Sequence, residues 1–154
     1  MPKGFVRIAR RVLPWLAVWG GVQLLVRLAG RLAAARLDEG DEASTEIRRV
    51  LTMGGLQLKP VNPALTRVRL DLGMAGGELD LTALGETSGV DLTVHAVMGG
   101  LAVRVPPDWR VWSRFRGIGG VGTDGGLTRC HDERAADLRV RAVAVFGGIG
   151  VEAG

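Results

Sequence analysis

From Val50 onward the chain alternates apolar and polar residues with a period of two. Val68, Leu70 and Leu72 alternate with Arg67, Arg69 and Asp71. Val90, Leu92, Val94 and Ala96 alternate with Asp91, Thr93 and His95. Leu101, Val103 and Val105 flank Arg104. Leu138, Val140, Ala142 and Ala144 alternate with Arg139 and Arg141. Successive side chains of a strand point to opposite faces, so each run predicts a strand with one buried face. No comparable 3.6-residue stripe follows Val50, and the pattern predicts a mainly β domain over residues 47–154.

A glycine pair recurs inside these runs: Gly54-Gly55, Gly76-Gly77, Gly99-Gly100, Gly119-Gly120 and Gly147-Gly148. First glycine to first glycine, the spacings are 22, 23, 20 and 28 residues. A repeat of this period is the signature of a solenoid. Glycine tolerates unusual backbone angles and lets another backbone approach closely, so each pair reads as a corner stacked on the next. The fold expected is a short single-stranded parallel β-helix (β-solenoid) of about five coils, preceded by one N-terminal α-helix. A β-sandwich of the same strands is the rival, but it does not require a glycine pair at one place in each repeat.

Stacked corners would place Met53, Met98, Ile118 and Phe146 inside as one ladder and Leu56, Leu101, Val121 and Ile149 as another. Glu78 breaks the second ladder; a one-residue bulge at Gly76-Gly77 would bring Leu79 and Leu81 inward instead. Lys59 to Pro63, Gly85 to Gly89 and Pro106-Pro107-Asp108 read as turns. Thr123 to Ala136 reads as a longer loop, which accounts for the spacing of 28.

The first 37 residues follow a different pattern. An uncharged, largely apolar stretch from Val12 to Val26 lies between Lys3, Arg7, Arg10, Arg11 and Arg27, Arg31, Arg36. Fifteen helical residues reach about 22 Å, short of a hydrocarbon core of about 30 Å. Extension to Leu32 supplies the length but includes Arg27, which would have to snorkel. Trp15 and Trp19 suit a membrane interface. A spanning helix, an interfacial helix with Gln23, Arg27 and Arg31 on its polar face, a cleaved leader and a soluble packed helix all fit the pattern. Residues 1–37 are read as a membrane-seeking helix, 38–46 as a polar linker, and the location as the cell membrane.

Charge sharpens this division. Seven of 20 Lys/Arg and four of 16 Asp/Glu fall in residues 1–42, so that segment carries +3 of the net +4. The β domain is almost neutral, which argues against a nucleic-acid partner. Glycine, at 24 residues, is about twice the usual ~7% share. Cys130 is the only cysteine, so no intrachain disulfide forms.

The run Val90 to Val111, with Val97-Met98-Gly99-Gly100-Leu101 and Val105-Pro106-Pro107-Asp108-Trp109-Arg110-Val111, resembles the C-terminal domain of LiaF-like, cell-wall-active antibiotics response proteins. The closing Ala142 to Ile149 is similar. The resemblance spans about residues 70–154. It implies a parallel β-helical domain in a bacterial envelope protein, linked to envelope-stress sensing through a membrane histidine kinase. LiaF itself carries several membrane helices, whereas at most one is read here.

Candidate chemistry is sparse. Cys130-His131-Asp132-Glu133 groups ligand-type residues, but neighbours along an extended chain point apart, and a solvated loop is the plainer reading. Glu78 and Asp80 are two residues apart and could act as paired carboxylates; Arg67, Arg69 and Arg104 are expected to neutralise them. Gly117 to Gly122 lacks the helix and Lys-Ser/Thr of a phosphate loop. Arg110, Trp112, Arg114 and Arg116 alternate on one strand face and form the candidate interaction surface, while outward Val97, Val143 and Val145 suggest a small apolar patch. No catalytic residue, metal site or cofactor is expected. The functional expectation is a non-enzymatic membrane-tethered adaptor or regulator, in contact with lipid through its helix and with a protein partner such as a sensor kinase. The alternative is a self-assembling scaffold built through open sheet edges.

Overall fold

The computed structural model describes residues 20–22, 24–25, 28–30, 32, 36–85, 87, 89–123 and 126–154. Most of the N-terminal apolar stretch therefore lies outside the described residues, as do Trp15 and Trp19. Those described between 20 and 37 are helical, and among the described residues no helix is long and apolar enough to cross a membrane.

The fold is mainly β. Six strands form one sheet in the order β1-β2-β3-β6-β4-β5, and every pairing within it is parallel. They are β1 (Glu46–Leu58), β2 (Arg67–Asp80), β3 (Val90–Val105), β4 (Arg110–Thr123), the two-residue β5 (Thr128–Arg129) and β6 (Leu138–Ala153). Short 3₁₀ turns at Thr82–Leu84 and Glu133–Ala135 punctuate the connections.

The five long strands bend at their glycines. In β3 the buried positions are Val90, Leu92 and Val94 before Gly99, then Leu101, Val103 and Val105 after it. β6 switches likewise from Leu138, Val140, Ala142 and Ala144 to Ile149 and Val151. A straight strand keeps one parity on one face, so this switch means that the strand turns between its two arms. Side chains from both arms enter a single core cluster, joined by Leu65, Leu81, Leu84 and Trp109 from the connections. Trp109 buries its ring and donates its indole N–H to the Gly85 carbonyl at 3.0 Å.

The corners stack much as the spacing predicts. Gly99 and Gly100 of β3 pair with Gly147 and Gly148 of β6, which pair with Gly119 and Gly120 of β4. Gly119 has φ +133°, and a Cβ there would collide with the Gly147 carbonyl oxygen, so both its conformation and the close backbone approach demand glycine.

Three expectations need correction. First, the repeats do not stack in chain order: β6 occupies the slot between β3 and β4. Its arm is suited to that slot, with buried Leu138, Val140 and Ala142 facing in and Arg139 and Arg141 facing Asp91 of β3 at 2.8 and 3.1 Å. β4 carries Ser113 and Phe115 at the corresponding positions, tolerable only where one side is open.

Second, Gly76-Gly77 is displaced by one residue. Gly55 pairs with Gly76, and Gly54 with Ala75. No bulge is needed at that corner: register runs unbroken from Met53–Met74 to Leu58–Leu79, and Leu79 is buried. Gly77 takes the ladder position of Leu56 and Leu101, whose side chains fill the space that its own would occupy. The register shift falls instead between Gly117 and Gly119, against β6.

Third, the ladder of Met53, Met98 and Phe146 exists, joined by Met74, but it lies outside. Ile118 is outside too. These residues sit where the strand begins its turn, and a side chain at the apex of a convex bend projects away from the enclosed core.

Candidate functional site

The outer surface of the sheet carries two unlike regions. One is a net of ion pairs set by strand register. Asp71 of β2 meets Arg48 of β1 at 3.4 Å, Arg69 at 3.2 Å and the His95 Nδ1 of β3 at 2.8 Å. Partial burial pushes the Asp71 carboxyl up, but hydrogen bonds from His95 and Arg69 outweigh it and hold the group below the usual carboxylate range. Asp91 is also held low, chiefly by the hydrogen bond from Arg139.

Glu78 and Asp80 each sit in ion pairs of their own. Arg104 bridges Glu78 at 2.7 Å and Glu152 at 3.0 Å. Asp80 takes Lys59 at 3.0 Å and the Thr82 hydroxyl and amide, which bring its pKa to about 2. An acid so strong is ionised at neutral pH and has no proton to donate. Of the neutralising partners expected for the pair, Arg104 is present, whereas Arg67 pairs with Glu46 and Arg69 with Asp71.

The second region is apolar. Met53, Met74, Met98 and Phe146 form a continuous cross-strand row, with Ile118 beside it on β4. All five are exposed, from 39% for Met53 to 61% for Ile118. Val97, Val143 and Val145 lie exposed beside the row, as their outward parity predicts. Large apolar groups gathered in one place on a surface mark contact sites. Methionine suits such a site because its unbranched thioether adapts to differently shaped partners. The row nears the N-terminal helix at one end: Gly30 is buried against Thr52, where a Cβ would meet the threonine side chain. Leu24, Leu25, Leu28 and Leu32 of that helix are exposed.

The basic stripe lies on the outer face of β4, where parity put it. Trp112, Arg114 and Arg116 pair with Arg139, Arg141 and Val143 of β6. The guanidinium groups of Arg114 and Arg141 sit 5.4 and 5.8 Å from the Trp112 ring centroid, a double cation–π stack. Arg110 is drawn off by Asp137 at 3.1 Å. Among the described residues Arg114 and Arg116 make no ion pair.

In the Cys130–Glu133 segment the Cys130 thiol donates to the Asp132 carbonyl at 3.0 Å, Asp132 caps Arg134, and Glu133 pairs with Arg141. Cys130, Asp132 and Glu133 are thus engaged with three different groups, and no group of three His, Cys, Asp or Glu gathers among the described residues.

Strand parity places the basic stripe and the outward valines on the outer face, whereas stacked corners were expected to put Met53, Met98, Ile118 and Phe146 in the interior. The available signal was position: Met53, Met98, Ile118 and Phe146 each lie just before a glycine pair, and Met74 one residue further off, where a bend turns the strand outward. Searches against family models, curated proteins and solved structures gave no match to this chain.

Proposed function

We propose that this chain is a non-catalytic, membrane-tethered adaptor of the bacterial cell envelope, whose bent-strand repeats act as coils of a β-solenoid displaying a protein-binding surface. The exposed Met53–Met74–Met98–Phe146 row carries this reading. Burying it against a partner would gain about 25 cal/mol per Å² of apolar area removed from water. The exposed leucines of the N-terminal helix favour a bilayer as the neighbour at that end, and Arg114 and Arg116 suit anionic groups close by. The resemblance of residues 70–154 to the LiaF-like domain agrees with an envelope role, and a membrane sensor kinase is the partner of first choice.

The test is photo-crosslinking in native membranes from a probe replacing Phe146. A discrete kinase adduct that disappears when Met74 and Met98 are both changed to Ser is the expected result. Their exposure makes these substitutions mild for folding. An adduct indifferent to both changes, or none, overturns the proposal.

A further inference from the structure

We propose that two copies of this chain pair edge to edge through β4, about a two-fold axis at Ile118. One side of β4 is occupied by β6 along its length. On the other, backbone pairing reaches only Arg110 and Val111: they pair with Thr128 and Arg129, the Val111 carbonyl accepts from the Cys130 N–H at 2.9 Å, and the Arg129 guanidinium crosses to the Thr123 hydroxyl. From Trp112 to Thr123 no described residue pairs with that side. An unpaired strand of this length is a template for another strand.

The occupant is a second copy because the open edge is nearly symmetric about its own corner. The register break between Gly117 and Gly119 centres the bend on Ile118. The open stretch runs six residues back from Ile118 and five forward. A two-fold axis along the bisector of the bend exchanges the two arms of the strand. The first arm of each protomer then lies antiparallel to the second arm of its partner, with interior facing interior.

That axis fixes the register. Phe115 of one protomer falls opposite Val121 of its partner, and Ser113 opposite Thr123. All four of these positions pair with buried residues of β6, and Phe115 and Val121 already pack on the core while partly exposed. On the outer face Arg114 meets Gly122 and Arg116 meets Gly120. No like charges stand directly opposed, which would disfavour the pairing. Ile118, exposed by 61%, meets its own copy on the axis.

The assembly closes at two. The opposite edge of the sheet is occupied at Arg48 by the antiparallel Glu39 and at Val50 by the Asp38 carboxylate. An isologous contact uses one patch on both copies and leaves nothing to propagate. The dimer also joins the two apolar rows end to end through Ile118, although it rests on the β4 edge and not on that row.

The test uses the full chain in detergent. Wild type is expected at twice the protomer mass by light scattering. Ile118→Lys alone and Ile118→Glu alone are expected at the protomer mass, and an equimolar mixture of the two at twice that mass again, since each opposes the other only across the axis. In a Cys130→Ser background, Ile118→Cys is expected to give an intermolecular disulfide under mild oxidation, whereas Val97→Cys stays monomeric. A wild type at the protomer mass at every concentration, a dimer retained in both single variants, or equal crosslinking from positions 97 and 118 overturns the proposal. Met74→Ser with Met98→Ser leaves the mass doubled, so loss of the protein partner and loss of the dimer are read separately.

Discussion

At the β1 edge, Glu39 and Arg48 exchange two backbone hydrogen bonds of 3.0 and 2.8 Å, the Asp38 carboxylate accepts from the Val50 N–H at 2.8 Å, and Gly30 packs on Thr52. At the β4 edge, pairing stops after Val111 among the described residues, and Phe115 and Val121 remain only partly covered. β1 ends the sheet on one side, β4 ends it on the other beyond the two-residue β5, and both bend at the same corner. The difference lies in the chain that flanks them. The segment before β1 returns along its own strand and bonds the outward backbone groups of Arg48 and Val50. The segment after β4 pairs its backbone with only the first two residues of the strand, and sends the Arg129 side chain to Thr123, before it leaves to form β6. An edge strand invites pairing in proportion to the groups left open, so the β1 edge is protected over its first half and the β4 edge is available.

The largest effect that sharpens this contrast is in the centre of the sheet. Leu92, fully buried in β3, is equally remote from both edges. Leu92→Ala is expected to cost about 2–5 kcal/mol in chemical denaturation, while Phe115→Ala at the open edge costs about half as much, because less of its side chain leaves water. Equal losses would mean that the β4 end is as enclosed as the centre.

Next, Glu39→Pro removes the N–H that bonds to Arg48. The expected loss is about 1–3 kcal/mol, with faster hydrogen exchange at Arg48 and Val50 and no change in β6. A smaller loss, about 1 kcal/mol, is expected for Asp38→Ala, which leaves the Val50 N–H without its acceptor. If either variant self-associates beyond a dimer, the β1 edge is the gate against growth.

The smallest effect is acid sensitivity. The pKa values of Asp71, Asp91 and Asp137 are lowered in the fold, and that of Asp80 is lowered to about 2. A depressed carboxyl contributes stability above its unfolded pKa, near 3.9, and loses it as pH falls through the folded value. Stability is therefore expected to be level above about pH 5 and to decline from about pH 4 towards pH 2. Asp80→Asn should flatten the lower part of that decline. A decline that begins near neutrality would implicate other groups.

The period-two runs located β2, β3, β4 and β6, and turn residues marked the connections between strands, because alternation and turn chemistry are local properties of the chain; β1 was marked by its glycine pair. The outward stripe of Trp112, Arg114 and Arg116 was legible for the same reason, since strand parity alone places it. Val97, Val143 and Val145 followed the same rule. The methionine row did not, because parity fails where a strand bends: Met98 shares parity with buried Val94, yet it projects outward at the turn before Gly99.

The repeat spacing and the glycine pairs determined by themselves that these strands are parallel neighbours with a common corner, because only glycine permits another backbone so close at Gly119 and Gly147. Which strand stands beside which was decided by tertiary structure. β6 displaces β4 from the place beside β3 because its arginines reach Asp91 and its inward face is apolar along the whole first arm. Those are contacts between residues about fifty positions apart, and the energy that orders the sheet depends on both partners at once. No single run of sequence contains that information, so the identity of the open edge appears only once the strands are assembled.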